Sequence, residues 1–209
     1  MAINYKNLSK ISKDVSLFDE AQLMIVSKQR SQEDVVELIA NGFRLFGENR
    51  VQEMEEKFLS LKKSFNFSLH LIGPLQSNKV KQVLKIADTI QSIDRKKIVD
   101  EILKHLNDDS VTKNFYIQIN VGREAQKSGV MPEKAKGFYT YCIENNLPIS
   151  GLMCIPPNIE DPSPYFKEMI SLRDQINQNL KLSMGMSGDY LLALKNKSNI
   201  IRVGSLLFE

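Results

Sequence analysis

Residues 22–42 read QLMIVSKQRSQEDVVELIANG, and this stretch contains one complete strand-loop-helix unit. The short apolar run over 22–26 predicts a strand that is buried on both faces. Ser31, followed three residues later by Asp34, predicts the start of a helix, and the pair Asn41-Gly42 predicts its end. We therefore expect a strand over 22–26, then a loop, then a helix over 32–40.

The same order of a short apolar run and a longer amphipathic segment recurs along the chain. Strands are predicted at 22–26, 43–46, 68–72, 89–93, 115–121, 149–155, 181–184 and 199–203. Helices are predicted between them at 32–40, 50–62, 78–86, 95–106, 133–145, 164–180 and 189–196. Strands that alternate with helices in this way indicate a parallel sheet with helical crossovers.

Eight such strands can close into a barrel or lie in an open, doubly wound sheet. No G-x-G-x-x-G follows the first strand and no G-x-x-x-x-G-K-[ST] occurs in the chain, which weakens the open-sheet alternative. We predict an α/β fold: a single-domain (β/α)8 barrel over residues 1–209. An amphipathic segment at 5–16 is expected to take the place of the helix that the last strand lacks.

The composition is that of an ordinary globular domain, with 42% hydrophobic and 25% charged residues. The formal net charge of +3 is too small to indicate a nucleic-acid partner. No apolar run is long enough for a signal peptide or a membrane span, so we expect a cytoplasmic protein without a membrane partner. Two cysteines and two histidines show no metal-ligand spacing, and no metal site is predicted.

Polar residues follow several predicted strands, at the end of a barrel where ligands bind. Lys28 follows the first strand, where loss of water contact can favour a neutral amine that forms a Schiff base with an aldehyde. A surface lysine that opens a loop is the alternative. Asn49 after the second strand can contact a ligand oxygen or cap a helix. His70 in the third strand is either a hydrogen-bonded core residue or packs over a flat ring.

Glycine and serine cluster after the last two strands, at Gly185, Ser187 and Gly188 and then at Gly204 and Ser205. Glycine allows the backbone to approach a ligand closely, and serine adds hydroxyl donors, as a barrel phosphate site after strands 7 and 8 requires. Ser187 can also serve as a simple helix cap. Since the eighth strand of a closed barrel lies beside the first, the predicted phosphate site adjoins the lysine after the first strand.

Taken together, these motifs resemble those of the YggS/PROSC family, the pyridoxal 5′-phosphate (PLP) homeostasis proteins. The resemblance runs from about residue 23 to residue 208. The matching motifs include Val26-Ser27-Lys28, Gly47-Glu48-Asn49-Arg50-Val51-Gln52-Glu53, His70-Leu71-Ile72-Gly73-Pro74, Lys127-Ser128-Gly129, Ser183-Met184-Gly185-Met186-Ser187-Gly188-Asp189 and Val203-Gly204 after Arg202.

The resemblance implies a barrel like the N-terminal domain of alanine racemase, with PLP as the cofactor. It implies a Schiff base on Lys28, a phosphate held by Ser187, Gly204 and Ser205, and Arg202 facing the pyridine nitrogen. It also implies that Asn49, His70 and Met184 line the pocket. The implied partners are PLP and, transiently, apo forms of PLP-dependent enzymes, with the chain itself a monomer.

The implied function is intracellular PLP homeostasis by a carrier without an established reaction. A permanently charged Arg202 beside the ring nitrogen disfavours ring protonation and so weakens the ring as an electron sink. Three alternatives remain open from the sequence. These are a weak PLP-dependent racemase or decarboxylase, a phosphosugar enzyme that uses Lys28 without PLP, and an interaction protein with a vestigial pocket.

Overall fold

The computed structural model describes residues 3–208, so Met1, Ala2 and Glu209 of the predicted 1–209 domain lie outside the described residues. Eight parallel strands form a closed barrel in chain order, with the first strand paired to both the second and the eighth. The predicted barrel is confirmed, and the open sheet is excluded. The strands are β1 Gln22–Val26, β2 Leu45–Glu48, β3 Ser68–Leu71, β4 Thr89–Ile93, β5 Asn114–Ile119, β6 Ile149–Cys154, β7 Lys181–Ser183 and β8 Ile200–Val203.

A helix precedes β1, and further helices connect the strands. The helices are α1 Tyr5–Val15, α2 Gln32–Ala40, α3 Val51–Phe58, α4 Val80–Val83, α5 Lys96–His105, α6 Pro132–Glu144, α7 Ser163–Ile176 and α8 Tyr190–Lys195. The predicted cap of α2 is confirmed: the Ser31 hydroxyl accepts from the Asp34 N–H, and the Asp34 carboxylate accepts from the Ser31 N–H. These reciprocal bonds satisfy two donors at the helix start.

Several predicted boundaries were wrong, and one of these errors bears on the site. The second strand begins at Leu45 rather than at Phe43, because the Phe43 N–H donates to the Leu38 carbonyl and closes the end of α2. The strand β2 also ends at Glu48, two residues beyond the predicted end at Phe46. The helix predicted at 78–86 is reduced to a 3₁₀ turn at Ser77–Lys79 and the short α4.

The N-terminal helix α1 occupies the place of a helix after β8, as expected. The chain beyond β8 forms a 3₁₀ turn at Ser205–Leu207. The Asn4 N–H donates to the Leu207 carbonyl at 2.8 Å, and the Tyr190 hydroxyl of α8 donates to Asp14 of α1 at 2.8 Å. Leu8, Ile11 and Val15 form the buried face of α1. The start of the described chain therefore seals the barrel wall beside its last strand.

Two apolar clusters lie on opposite faces of the barrel sheet. The larger cluster joins the outward-facing strand residues to the helices, and it includes Leu69, Leu71 and Met184. The smaller cluster fills the barrel interior with Met24, Val26, Ile72, Tyr116, Met153 and Ile200. This division follows the alternation of side chains along each strand. Within residues 3–208, no helix combines the length and apolar character needed to cross a membrane.

Candidate ligand-binding site

A cavity of about 420 Å³ opens at the carboxyl ends of the strands. Its size is within the usual range for small-molecule and cofactor sites. Apolar side chains line part of it, and hydroxyl, amide and cationic groups line the rest. The lining residues are Val26, Lys28, Asn49, Ile72, Ile155, Met186, Ser187, Gly188, Arg202, Gly204 and Ser205.

Six of the eight residues predicted for the site line this cavity: Lys28, Asn49, Ser187, Arg202, Gly204 and Ser205. Lys28 is the second residue after β1 and lines the same space as the glycine and serine residues that follow β7 and β8. The expectation of a poorly hydrated lysine was wrong, because Lys28 is exposed at the mouth of the open cavity. Its amine is therefore accessible to a ligand that enters from solvent.

Glycines fix the shape of the loops around the predicted phosphate site. Gly185 has a φ of 94°, and a Cβ there would lie 2.4 Å from the Cβ of Ala193, so a side chain is excluded on two grounds. A Cβ on Gly204 would lie 3.0 Å from the Val26 carbonyl oxygen. The close approach of β8 to β1 at this point brings Gly204 and Ser205 next to the strand that carries Lys28.

Ser187 is not the cap of α8. Asp189 holds the N-cap position, and its carboxylate accepts from the Met186 N–H at 2.5 Å. Burial raises the pKa of Asp189, while this backbone contact and the charge of Arg202 oppose the rise. Ser187 is therefore not used as the cap of α8, and it lines the cavity.

Arg202 in β8 is the buried cation of the cavity, with 4% of its surface exposed. Its Nη1 donates to the Ser183 hydroxyl at 2.9 Å, and its Nη2 donates to the Cys154 carbonyl at 2.7 Å. Burial lowers the pKa of Arg202 from its ordinary value, although arginine remains charged in proteins. Two of the five guanidinium donors are thereby fixed by the barrel, and the side chain keeps one orientation.

A chain of hydrogen bonds runs from Arg202 through the barrel interior to the opposite end. The Ser183 hydroxyl donates to Gln91 Oε1 at 2.7 Å, and Gln91 Nε2 donates to His70 Nδ1 at 2.8 Å. His70 then carries its proton on Nε2, which donates to the Ser68 hydroxyl at 3.1 Å. Each bond sets the direction of the next, because the guanidinium can only donate.

His70 and Met184 are not brought to the cavity. His70 points inward near the amino ends of the strands, where it lines a different cavity of about 660 Å³. Burial, and then the charges of Lys62 and Lys181, lower the pKa of His70 to about 3, so its ring is neutral. Met184 points outward into the apolar layer between sheet and helices. Its neighbour Ser183 is the inward-facing residue of that strand end.

The fold and the cavity define a class: barrel proteins with an amine, a guanidinium and a glycine-serine loop pair at the carboxyl ends of the strands. Comparison with models of known protein families finds no match for this chain. Individual relatives are found. The pyridoxal phosphate homeostasis protein of Aquifex aeolicus is 39% identical over 197 residues, which cover 90% of this chain and 86% of that protein. The protein of the same name from Helicobacter pylori strain 26695 is 36% identical over 194 residues, covering 90% and 87%.

The chain belongs to the family of pyridoxal phosphate homeostasis proteins. Among solved structures, PipY of Synechococcus elongatus is 29% identical and covers 98% of this chain and 99% of its own. Its TM-score is 0.87 without PLP and 0.85 with PLP bound. Alanine racemase of Corynebacterium glutamicum shares the fold alone, with a TM-score of 0.70, 12% identity and coverage of 98% of this chain and 61% of its own.

Proposed function

We propose that this chain binds PLP in the cavity at the carboxyl ends of the strands and serves in PLP homeostasis as a carrier. The observation that carries the proposal is the meeting of Lys28, Arg202 and the loops at Ser187 and Ser205 around one cavity. This cofactor needs three features: an amine, an apolar space that fits its ring, and loops that can bind its phosphate. The PLP-bound PipY structure, from a relative of the same fold, supports the choice of ligand.

The residues of the cavity fit the cofactor chemically. Backbone N–H groups and hydroxyls at Ser187, Gly204 and Ser205 suit a phosphate, which favours donors on closely approaching backbone. The apolar side chains of Val26, Ile72 and Ile155 provide surfaces for the flat ring. We propose that Arg202 faces the pyridine nitrogen, and that Asn49 contacts a polar substituent of the ring.

PLP supplies an aldehyde when bound, and the proposed role of Lys28 is to add to it. Lys28 would hold the cofactor by condensation of its amine with that aldehyde, which releases one water molecule, and hydrolysis would free the cofactor again. An exposed lysine at an open mouth suits this reversibility, since water and an incoming acceptor protein can both reach the bond.

The charge pattern favours a carrier over an enzyme. Arg202 opposes protonation of the ring nitrogen, because two cations in contact repel, and PLP enzymes usually place an acid there. Among the described residues that line the cavity, Lys28 and Arg202 are the ionisable side chains. A racemase needs a second base on the other face of the ligand, and this lining offers none. We further propose that one barrel domain works as a cytoplasmic monomer and hands PLP to apo-enzymes.

Binding of PLP and of pyridoxal, which lacks the phosphate, tests the proposal. Wild type is expected to show a visible absorption band with PLP that borohydride bleaches, and Lys28→Ala is expected to lack it. Ser187→Ala with Ser205→Ala is expected to weaken PLP binding by roughly tenfold, through the loss of two phosphate contacts, and to leave pyridoxal binding unchanged. A wild-type protein without the band contradicts the proposal.

Exchange of the α-proton of amino acids in deuterated buffer separates a carrier from a weak racemase. The carrier proposal predicts no exchange above that of free PLP at the same concentration. Faster exchange that disappears in Lys28→Ala overturns the carrier assignment and favours an enzyme.

A further inference from the structure

A buried cluster of three charged residues lies behind the loop that carries Lys28. Glu48 ends β2 with its side chain fully buried, and its Oε1 lies 2.5 Å from Lys57 Nζ of α3. The Lys57 side chain is itself 9% exposed. Glu53, one helical turn before Lys57, places Oε2 at 3.3 Å from the same nitrogen. Counted formally, two acidic side chains and one basic side chain give the cluster a net charge of −1.

All three members of the cluster contact the loop on either side of Lys28. Lys57 Nζ donates to the Ser27 carbonyl at 2.7 Å, and the Ser27 hydroxyl donates to Glu48 Oε1 at 2.8 Å. On the other side, the Gln29 N–H donates to Glu53 Oε2 at 2.8 Å. The residue before the lysine and the residue after it are therefore both tied to the same buried group of charges.

The loop backbone needs such contacts. Gln29 has a φ of 59°, in the left-handed region that side chains other than glycine rarely adopt. A strained residue of this kind persists where its surroundings over-determine its conformation. The bond from the Gln29 N–H to Glu53 is one such constraint, and it acts at the position that directly follows Lys28.

Fold stability alone does not account for the cluster. Burial of an ion pair costs hydration that the attraction between the charges often fails to recover, and well-packed apolar residues serve stability as well or better. Glu48 Oε2 is buried without a hydrogen-bond partner among the described residues. Burial raises the pKa of Glu48, and the contacts with Lys57 oppose the rise. The cluster does stabilise the conformation of one short loop, the one that carries Lys28.

We propose that Glu48, Lys57 and Glu53 are positioning residues that hold Ser27 and Gln29 so that the Lys28 amine stays within reach of a bound aldehyde. This inference rests on the proposed PLP site, and it explains how the Lys28 side chain is oriented in that site. The cluster acts through the backbone and does not contact the ligand. Its loss is therefore expected to weaken the covalent bond and to spare the phosphate and ring contacts.

The test compares PLP with pyridoxine 5′-phosphate, in which an alcohol replaces the aldehyde. The ratio of the two affinities isolates the contribution of the lysine bond, because the second ligand keeps the ring and phosphate. The main variant is Glu48→Gln with Lys57→Met, which removes the two most deeply buried charges at similar volume and leaves the partly exposed Glu53 as the one charged member. The matched control is Lys62→Met, which breaks the 2.7 Å ion pair to Asp88 beside β4.

The affinity ratio is expected to fall by roughly tenfold in the double variant and to stay unchanged in Lys62→Met, because small misplacements of a reacting group are costly. The affinity for pyridoxine 5′-phosphate is expected to remain at the wild-type value. If the double variant does not fold, Glu53→Ala provides the same test through the partly exposed member, and Glu53→Gln, which keeps an acceptor for the Gln29 N–H, is expected to restore the ratio.

The outcomes separate the two proposals. A wild-type protein that binds both ligands equally contradicts the Schiff base on Lys28, and with it the proposed function. A wild-type preference for PLP that survives in the double variant, or in Glu53→Ala, overturns the positioning role and leaves the proposed function intact.

Discussion

The neutral state of His70 leads to a quantitative prediction for stability against pH. Burial and the charges of Lys62 and Lys181 lower the pKa of His70 from 6.5 to about 3 in the folded chain. Below pH 6.5 the His70 side chain is therefore protonated in the unfolded chain and remains neutral in the folded chain. The stability that the neutral His70 contributes to the fold is fully present above pH 6.5, and it is lost as the pH falls towards 3.

The size of the loss follows from these two pKa values. At 1.36 kcal/mol for each tenfold change in proton binding, folding loses about 2 kcal/mol from this one group between pH 7.5 and pH 5. The matched variant is His70→Gln, which keeps a polar side chain that does not titrate. The substitution changes stability by an amount that does not depend on pH, and it removes the part of the pH dependence that belongs to His70.

Urea unfolding of both proteins at pH 7.5 and pH 5 measures the difference. Wild type is expected to lose about 2 kcal/mol more than His70→Gln over this interval, because all other titrating groups are shared by the two proteins. Equal losses in both proteins would contradict this prediction, because they would mean that His70 binds its proton in the folded barrel as readily as in the unfolded chain.

Two further predictions concern the loops and the interior of the barrel. Gly185→Ala is expected to destabilise the fold by about 3 kcal/mol in urea unfolding, because the backbone is left-handed there and the added methyl group overlaps α8. The control Gly188→Ala is expected to cost less than about 0.5 kcal/mol, since nothing lies within 4 Å of its Cβ position. Equal losses of stability in the two variants would contradict this role of Gly185. Ser183→Ala leaves one guanidinium donor and one amide oxygen buried without a partner and is expected to cost about 2 kcal/mol, whereas Ser150→Ala, at an exposed contact, is expected to cost little. A Ser183→Ala protein as stable as wild type contradicts the hydrogen-bond chain.

The sequence was sufficient to predict the eight strands and the closure of the barrel. Short apolar runs between amphipathic segments identify strands that are covered on both faces, and the strands at 22–26 and 89–93 were placed to the residue. The boundary of β2 was missed because Phe43 is an apolar residue whose N–H is used by the end of α2. A run of apolar residues does not reveal which of them have backbone groups that are already bonded.

The position of a residue after a strand was enough to place six of the eight predicted residues on one cavity, whereas the face of a strand decided where Met184 lies. Ser183 and Met184 are neighbours, and one points into the barrel while the other points out of it. The alternation of side chains along β7 could have separated them. His70 does point inward, but into the cavity at the amino ends of the barrel strands, and its depth in the barrel depends on the register between β3 and β4.

The buried charge cluster was missed because its members lie on two elements. One signal was available in α3, where Lys57 occupies a helix face whose other buried residues are Val51, Met54 and Phe58. A lysine in that position needs a buried partner, and Glu48 at the end of the preceding strand is the nearest acid that a β-α connection brings to it.

The most direct measurement is peptide mass analysis after the PLP-loaded protein is reduced with borohydride, which converts a reversible C=N linkage to a stable amine. We expect the added pyridoxyl mass on the peptide that contains Lys28, and no other lysine is expected to carry it in comparable yield. Labelling of a different lysine, or no labelled peptide from a protein that retains PLP, would contradict this expectation.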